Sequence, residues 1–232
     1  MIPVIVTYNR KPYAHRRLLA TDLEGTLTPY ETMEVIGYHL QHVYTDLDGR
    51  KVNMYDFMIK ITQGGMRGKR PMPFSESLKL RIGKVAEFMP LEEMRGIART
   101  IPLRGGAKEA LQAITVKYDI AVITGGIHPL AKEILLGNGL GVDYLAASGI
   151  ESNNGRIVEV YPLTDKGEVV RQLVREYRYE YVVGMGDGSN DKRIKEVSNR
   201  FIWVNPKDGL VEGGDEVIDG DDLGVLVDKL DL

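Results

Sequence analysis

The chain has 232 residues, of which 43% are hydrophobic and 27% are charged, and its formal net charge is −3. These values are typical of one large globular domain, or of a core that carries a smaller inserted module. The acidic balance argues against nucleic acid as the main partner, because neutralising many phosphates requires a basic surface. The absence of cysteine excludes disulfides, thiol catalysis and cysteine-ligated metals.

No run of residues is long and apolar enough to cross a bilayer, and the start of the chain lacks the apolar core of a signal peptide. The simplest expectation is a cytoplasmic protein without a membrane partner. It would be a monomer or a homodimer.

Short apolar segments that end in turn residues predict buried strands, and they alternate with helical patterns along most of the chain. The predicted strands are 16–22, 118–124, 180–187, 200–205 and 215–219; the predicted helices are 107–114, 129–139, 166–177 and 191–199. This alternation predicts an α/β fold, with a Rossmann-like, doubly wound and mostly parallel sheet. In such sheets ligands bind at the carboxyl ends of the strands.

Residues 29–100 interrupt the alternation, since they contain helical patterns and no convincing buried parallel strand. We expect a small helical cap there, inserted into a core formed by residues 1–28 and 101–232. Residues 146–162, with Asn-Asn-Gly at their centre, predict a β-hairpin. Residues 1–15 and 38–63 have no assigned role; either segment would alter the mouth of the cleft or an oligomer contact.

Polar groups that suit phosphoryl transfer follow the predicted core strands. Asp22 is the candidate nucleophile, and Asp187 would share a Mg²⁺ ion with it. Lys166 would balance the negative charge, and Glu24 would act as general acid and then as general base. The phosphoryl group would lie against the hydroxyl of Thr124 and against the two residues that follow it, Gly125 and Gly126. Asn190, in the loop that begins with Asp187, would also contact the phosphoryl group.

Each of these features alone has an ordinary structural interpretation. An Asp-x-Glu-Gly stretch is most often a turn or a helix cap, Thr-Gly-Gly is usually a tight turn, and a lone lysine at a helix start is usually solvated. The order of all four at strand ends is what favours a catalytic site.

The set resembles the haloacid dehalogenase superfamily of phosphotransferases, in which an aspartate is the nucleophile. "DLEGT" resembles the first motif of the superfamily, "VITGG" the second, the lysine of "DKGE" the third and "GMGDGSND" the fourth. The resemblance implies a Mg²⁺ ion held by Asp22, the backbone carbonyl of Glu24 and Asp187, with Asp191 in support. The superfamily usually has aspartate where this chain has Glu24, which leaves its protonation geometry open.

The segments "ETMEVIG" and "FSESLKLRI" are similar to cap segments of phosphoserine phosphatases. That similarity implies that Glu31 meets the substrate ammonium, Phe74 lines the pocket and Arg81 binds the substrate carboxylate. An independent pattern points the same way, because Arg81 lies on the apolar stripe of its own helix. The ordinary alternatives are a helix N-terminal acid, a cap-core aromatic and a snorkelling arginine.

The expected function is therefore Mg²⁺-dependent hydrolysis of a small phosphorylated metabolite through a phospho-aspartyl intermediate, with O-phospho-L-serine as the expected substrate. The alternatives are a phosphatase for another small ester or a sugar phosphate, and a catalytically idle module that binds phosphate or metal. Transfer of the phosphoryl group to an acceptor other than water also stays open. The second acidic stretch, at 46–50, lacks the threonine after its glycine and is interpreted as a surface turn.

Overall fold

A computed structural model of the chain describes residues 4–7, 16–40, 43–45, 51–62, 72–207 and 209–231. The predicted surface turn at 46–50 lies outside the described residues, and so does the stretch Met-Arg-Gly-Lys-Arg at 66–70, which is a basic cluster in the sequence.

The strands and helices follow one another in an order that agrees closely with the predicted one. The strands are β1 (Val4–Thr7), β2 (Arg17–Thr21), β3 (Val43–Thr45), β4 (Lys51–Asn53), β5 (Asp119–Ile127), β6 (Tyr144–Asn153), β7 (Arg156–Tyr161), β8 (Tyr181–Gly186), β9 (Arg200–Val204) and β10 (Glu216–Ile218). The helices are α1 (Thr32–Leu40), α2 (Met54–Thr62), α3 (Phe74–Phe88), α4 (Leu91–Ala98), α5 (Ala107–Ile114), α6 (His128–Gly137), α7 (Lys166–Tyr177), α8 (Lys192–Lys195) and α9 (Leu226–Lys229).

Within the described residues, one eight-stranded sheet has the order β1-β6-β5-β2-β8-β9-β10, with β7 paired to β6. The pairs from β6 to β10 are parallel, whereas β1 and β7 run antiparallel to β6. The predicted α/β class and the mostly parallel sheet are therefore confirmed. The chain reverses its winding direction on either side of β2, so the switch point of the sheet lies there.

Helices cover both faces of this sheet. Successive residues of the central strand β2 point to opposite faces, and each face packs against its own group of helices. Leu19 packs into the apolar cluster that includes α5 and α6, while Leu18 and Ala20 pack into the cluster that includes α7. A strand buried on both faces has a continuous apolar sequence instead of an alternating one. This explains why the Leu-Leu-Ala run of β2 lies at the centre of the sheet.

The helices α1 to α4 follow β2 and pack on the side of the cluster that holds α5 and α6. Their buried side chains, among them Ile36, Phe57 and Ile82, belong to that same cluster. A short antiparallel pair, β3 and β4, lies within this segment. The described part of 29–100 is thus largely helical, as predicted.

Three elements differ from the sequence prediction. The predicted hairpin is present, with Asn154 (φ 49°) and Gly155 (φ 75°) at its turn, but β6 also continues into the main sheet beside β5. The edge strand β1 was not predicted. The helix predicted over 191–199 is wrong in length, since a 3₁₀ turn precedes α8, which ends at Lys195.

Candidate active site

Three polar side chains meet at the carboxyl edge of the sheet, at the point where neighbouring strands end. Asp22 directly follows β2, Thr124 lies near the end of β5, and Asp187 directly follows β8. The register brings them together, because Thr21 pairs with Val122 on one side and with Met185 on the other. The Asp22 N–H also donates to the carbonyl of Met185 at 3.1 Å.

A cluster of acidic side chains surrounds one buried lysine. Within the described residues, carboxylate oxygens of Asp22, Asp187 and Asp191 lie within 4.8 Å of one another, and all three residues are buried. The Lys166 Nζ lies 2.8 Å from Asp22 Oδ2 and 2.7 Å from Asp191 Oδ1. Lys166 begins α7, whose N-cap Asp165 accepts a hydrogen bond from the backbone of Glu168.

Burial and crowding disfavour the charged forms of these acids. Burial raises the pKa of Asp22 well above its usual value, and the charges of Asp191 and Asp187 add to the effect while Lys166 opposes it. Burial likewise raises the pKa of Asp187. Burial opposes the charge of Lys166, yet the neighbouring carboxylates keep its pKa above the usual range. Hard oxygen donors that crowd one another in this way fit a divalent cation such as Mg²⁺.

Asp191 organises the loop after β8. Its Oδ2 accepts hydrogen bonds from the backbone N–H groups of Asp187 (3.0 Å) and Gly188 (2.9 Å), while its Oδ1 accepts from Lys166. A Cβ on Gly186 would lie 2.2 Å from the Cβ of Asp191, so a side chain at that position would displace the acid. Asp191 therefore fixes both Lys166 and Asp187.

The glycine pair after Thr124 forms the floor beside the acids. The Gly126 N–H donates to Thr124 Oγ1 at 3.0 Å, and Ser148 Oγ donates to the Gly125 carbonyl at 2.7 Å. A Cβ on Gly125 would lie 2.6 Å from Cζ of Phe74, so the aromatic ring of α3 lies directly over the glycine. A side chain at position 125 would therefore displace the ring of Phe74.

The loop after β2 carries Glu24 and is held from two directions. Glu24 Oε1 accepts a hydrogen bond from the Thr32 N–H at 2.9 Å, at the start of α1. Gly25 has a φ of 78°, and a Cβ there would lie 2.4 Å from Asp187 Oδ2. The buried Arg104 donates to the carbonyls of Gly25 (2.8 Å) and Thr26 (3.0 Å).

Residues of α1 and α3 form the opposite wall of a cleft of about 360 Å³. Arg81 is buried, as the helical stripe predicts, and its Nη1 donates to Thr62 Oγ1 at 3.0 Å. Its Nε is a buried donor without a hydrogen-bond partner among the described residues. Burial, followed by the nearby charge of Glu24, raises the pKa of Glu31 to about 7.

Every residue predicted for the site lines this cleft. They are Asp22, Glu24, Glu31, Phe74, Arg81, Thr124, Gly125, Gly126, Lys166, Asp187, Asn190 and Asp191. Asn190 is exposed at the rim, in contrast to the buried acids.

The sequence patterns did not identify Lys207, which also lines the cleft, or Arg104, which holds the loop after β2. Lys207 follows β9 at the same edge of the sheet, so the rule on strand ends applied to it as well. Arg104 had no comparable signal.

The residues matched by a known family cover most of the sheet and all four motif segments. A model of the haloacid dehalogenase-like hydrolases matches residues 19–194. The chain belongs to this family. The predicted family and the predicted hydrolase class are thereby confirmed.

Several relatives of the haloacid dehalogenase-like chain are phosphoserine phosphatases. One from Archaeoglobus fulgidus is 27% identical to this chain over 97% of its residues. The chain spans 62% of the length of that relative. One from Methanocaldococcus jannaschii is 26% identical over 90% of the chain and 94% of the relative. The structure of a phospho-aspartyl intermediate analogue of a phosphoserine phosphatase has a TM-score of 0.76 and 23% identity, covering 93% of this chain and 99% of that one. This structural likeness establishes the fold.

The described residues contain no helix that is both long and apolar enough to cross a membrane.

Proposed function

We propose that the chain is a Mg²⁺-dependent phosphomonoesterase that hydrolyses O-phospho-L-serine through a phospho-aspartyl intermediate on Asp22. The proposal is carried by the position of Lys166, whose Nζ lies 2.8 Å from Asp22 and 2.7 Å from Asp191. A buried cation between two carboxylates orients the nucleophile and favours its charged form, which opposes the effect of burial on the pKa of Asp22. The family match and the relatives named phosphoserine phosphatase support the same assignment.

The acids fit a Mg²⁺ ion, which Asp22, the Glu24 carbonyl and Asp187 would hold, with Asp191 in support. When bound, Mg²⁺ would offset the negative charge that otherwise repels a phosphate from the carboxylates. The chain itself supplies Lys166 as a second positive charge. It also fixes one oxygen of Asp22, since Oδ1 accepts from the Leu23 N–H at 2.7 Å.

In the first step a carboxylate oxygen of Asp22 attacks phosphorus, and the bond between phosphorus and the ester oxygen breaks. Glu24 gives its proton to the departing oxygen. Thr124 stabilises the phosphoryl group, because Gly126 donates to its Oγ1 and leaves the hydroxyl proton for a phosphoryl oxygen. In the second step Glu24 takes a proton from water, the water oxygen attacks phosphorus, and Asp22 is released together with phosphate.

The helices of 29–100 would form a cap that selects the substrate, over a core of 1–28 and 101–232. A buried guanidinium donor without a partner favours an incoming acceptor. As far as the described residues show, Arg81 Nε is such a donor, so we assign it to the substrate carboxylate. Glu31 would pair with the substrate ammonium, which stabilises its charged form, and Phe74 would pack on the carbon chain.

A phosphate-release assay with Mg²⁺ tests this proposal on O-phospho-L-serine, an aryl phosphate and a sugar phosphate. Phosphoserine should be the best of the three, and Asp22→Asn should abolish turnover of all of them. Asp46→Asn, the same substitution in the second acidic stretch, should leave turnover nearly unchanged. Equal rates on phosphoserine and on sugar phosphates would contradict the substrate assignment, and no release from any ester would contradict the reaction.

Arg81→Ala separates substrate recognition from chemistry. Loss of a hydrogen-bonded charge should reduce kcat/KM for phosphoserine roughly 10- to 100-fold, while the aryl phosphate is largely spared. Lys79→Ala removes an exposed cation of the same helix, paired with Glu159 at 2.9 Å, and serves as the control. Equal losses on both esters in Arg81→Ala would exclude the assigned role.

A further inference from the structure

Lys207 reaches the cleft from a loop that is held firmly in place. Asn205, with a φ of 44°, starts the turn after β9, and its side chain makes two hydrogen bonds with the backbone of Gly220 (2.7 and 2.8 Å). The Lys207 N–H then donates to the carbonyl of Asp187 at 3.0 Å. The backbone of Lys207 is therefore attached directly to the loop of the acid cluster.

The ammonium group of Lys207 connects two acids that belong to different parts of the cleft. Its Nζ lies 3.1 Å from Asp187 Oδ2 and 3.6 Å from Glu31 Oε1. Asp187 follows β8 at the sheet edge, whereas Glu31 immediately precedes α1 on the opposite wall. A single cation thus occupies the space between the carboxylate assigned to the metal and the carboxylate assigned to the substrate ammonium.

The two lysines of the cleft differ in how firmly they are held. The Lys166 side chain is 5% exposed and lies between two buried acids, so it is a fixed part of the site. The Lys207 side chain is 62% exposed, and its ammonium group lies at the end of a flexible chain of four carbons. Only the lysine end of this pair is open to water, since Asp187 is buried, so the ammonium leaves Asp187 at small cost when another cation takes its place. Lys207 is therefore suited to be displaced.

We propose that Lys207 is an internal competitor that a divalent cation displaces from Asp187 and that a substrate ammonium displaces from Glu31. Each displacement removes one of the two contacts that keep the Lys207 ammonium in the cleft. The ammonium then leaves the other carboxylate more readily, because only one contact still holds it there. Binding of the metal and binding of an amino-acid phosphate would consequently favour one another through this residue. The second half of the inference rests on the proposed function, whereas the first half rests only on the acid cluster.

Calorimetric titration of Mg²⁺ into the metal-free protein tests the first half without any turnover. Lys207→Met should bind Mg²⁺ roughly three- to tenfold more tightly than the unchanged protein, as expected for loss of a weak competing pair. Lys207→Arg keeps the charge and should retain the weaker affinity. Lys117→Met removes the same charge near the amino end of β5, far from the cleft, and should change nothing. Equal or weaker binding by Lys207→Met, or no Mg²⁺ binding by either protein, would overturn the proposal.

A comparison of two esters tests the second half. Lys207→Met should lower KM for O-phospho-L-serine and leave KM unchanged for the same ester without its amino group. A rise in KM for both esters would place Lys207 on the phosphate and contradict its role as a competitor. The titration decides on Lys207 even if neither ester is hydrolysed, a result that would contradict only the proposed function.

Discussion

Asp22→Asn should make the metal-free protein more stable while it removes the nucleophile. The side chain of Asp22 is buried, and carboxylate oxygens of Asp187 and Asp191 lie within 4.8 Å of it. At an effective dielectric constant of about 20, each repulsion at that distance is worth about 3 kcal/mol. The attraction to Lys166 at 2.8 Å is worth about 6 kcal/mol on the same scale.

Attraction and repulsion nearly cancel, so the cost of burying the charge of Asp22 remains. The raised pKa of Asp22 has the same origin. Asparagine removes this charge, can still accept from the Leu23 N–H, and leaves Lys166 paired with Asp191. We therefore expect a gain in the free energy of unfolding on the order of a few kcal/mol, which is the cost of burying one charge after the structure has relaxed.

Urea denaturation in the presence of a chelator measures this difference. Asp215→Asn is a matched control, since hydrogen bonds from Lys195 and the Glu212 backbone lower the pKa of Asp215 to about 2. The same substitution there should lower the free energy of unfolding, because the folded protein favours the charged form of Asp215. Addition of Mg²⁺ should reduce or reverse the advantage of Asp22→Asn, because the ion stabilises the form that binds it. A chelated Asp22→Asn protein that is less stable than the unchanged protein would refute the reasoning.

Three further predictions concern the cleft walls. Gly125→Ala should lower kcat/KM at least tenfold, because the new methyl group meets the ring of Phe74. Gly83→Ala lies on α3, the helix of Phe74, meets nothing within 4 Å and should keep full activity, so equal activities of the two variants would contradict the packing. Arg104→Lys loses the two-carbonyl contact and should lower kcat more than it raises KM, with phosphate release as the measurement and an unchanged kcat as the opposing result. The pKa of Glu31 is raised, which means that the folded protein binds a proton on this group more tightly than the unfolded chain does. Its contribution to the stability of the metal-free protein should therefore fall as the pH rises from about 4.5 to 7. Glu31→Gln should flatten the dependence of the free energy of unfolding on pH in this range, measured by urea denaturation.

The sequence predicts the part of the site that strand ends deliver. Parallel strands align their carboxyl ends, so Asp22, Thr124 and Asp187 had to lie together once β2, β5 and β8 were recognised. The burial of Arg81 was predictable for a similar reason, since a helix has a fixed period and Leu78 and Ile82 mark its buried face. Both predictions depend on regular geometry.

The remaining features depend on contacts between segments that are distant in the chain. The edge strand β1 has no partner that its own residues identify, because its place beside β6 depends on the whole sheet. The position of Lys207 depends on the turn at Asn205 and on its bond to Gly220. The Arg81 Nε has no hydrogen-bond partner in the part of the chain that the structure describes, and this results from the packing of several helices, which the helical period does not describe.

In the proposed reaction Asp22 carries the phosphoryl group during turnover of O-phospho-L-serine. Rapid acid quenching of the enzyme with Mg²⁺ and phosphoserine, followed by borohydride reduction and peptide mass spectrometry, measures this directly. We predict reduction of the Asp22 side chain to the alcohol, in a fraction that disappears when phosphoserine is omitted. Release of phosphate with an unmodified Asp22, or modification of a different acid such as Asp187, would exclude Asp22 as the nucleophile.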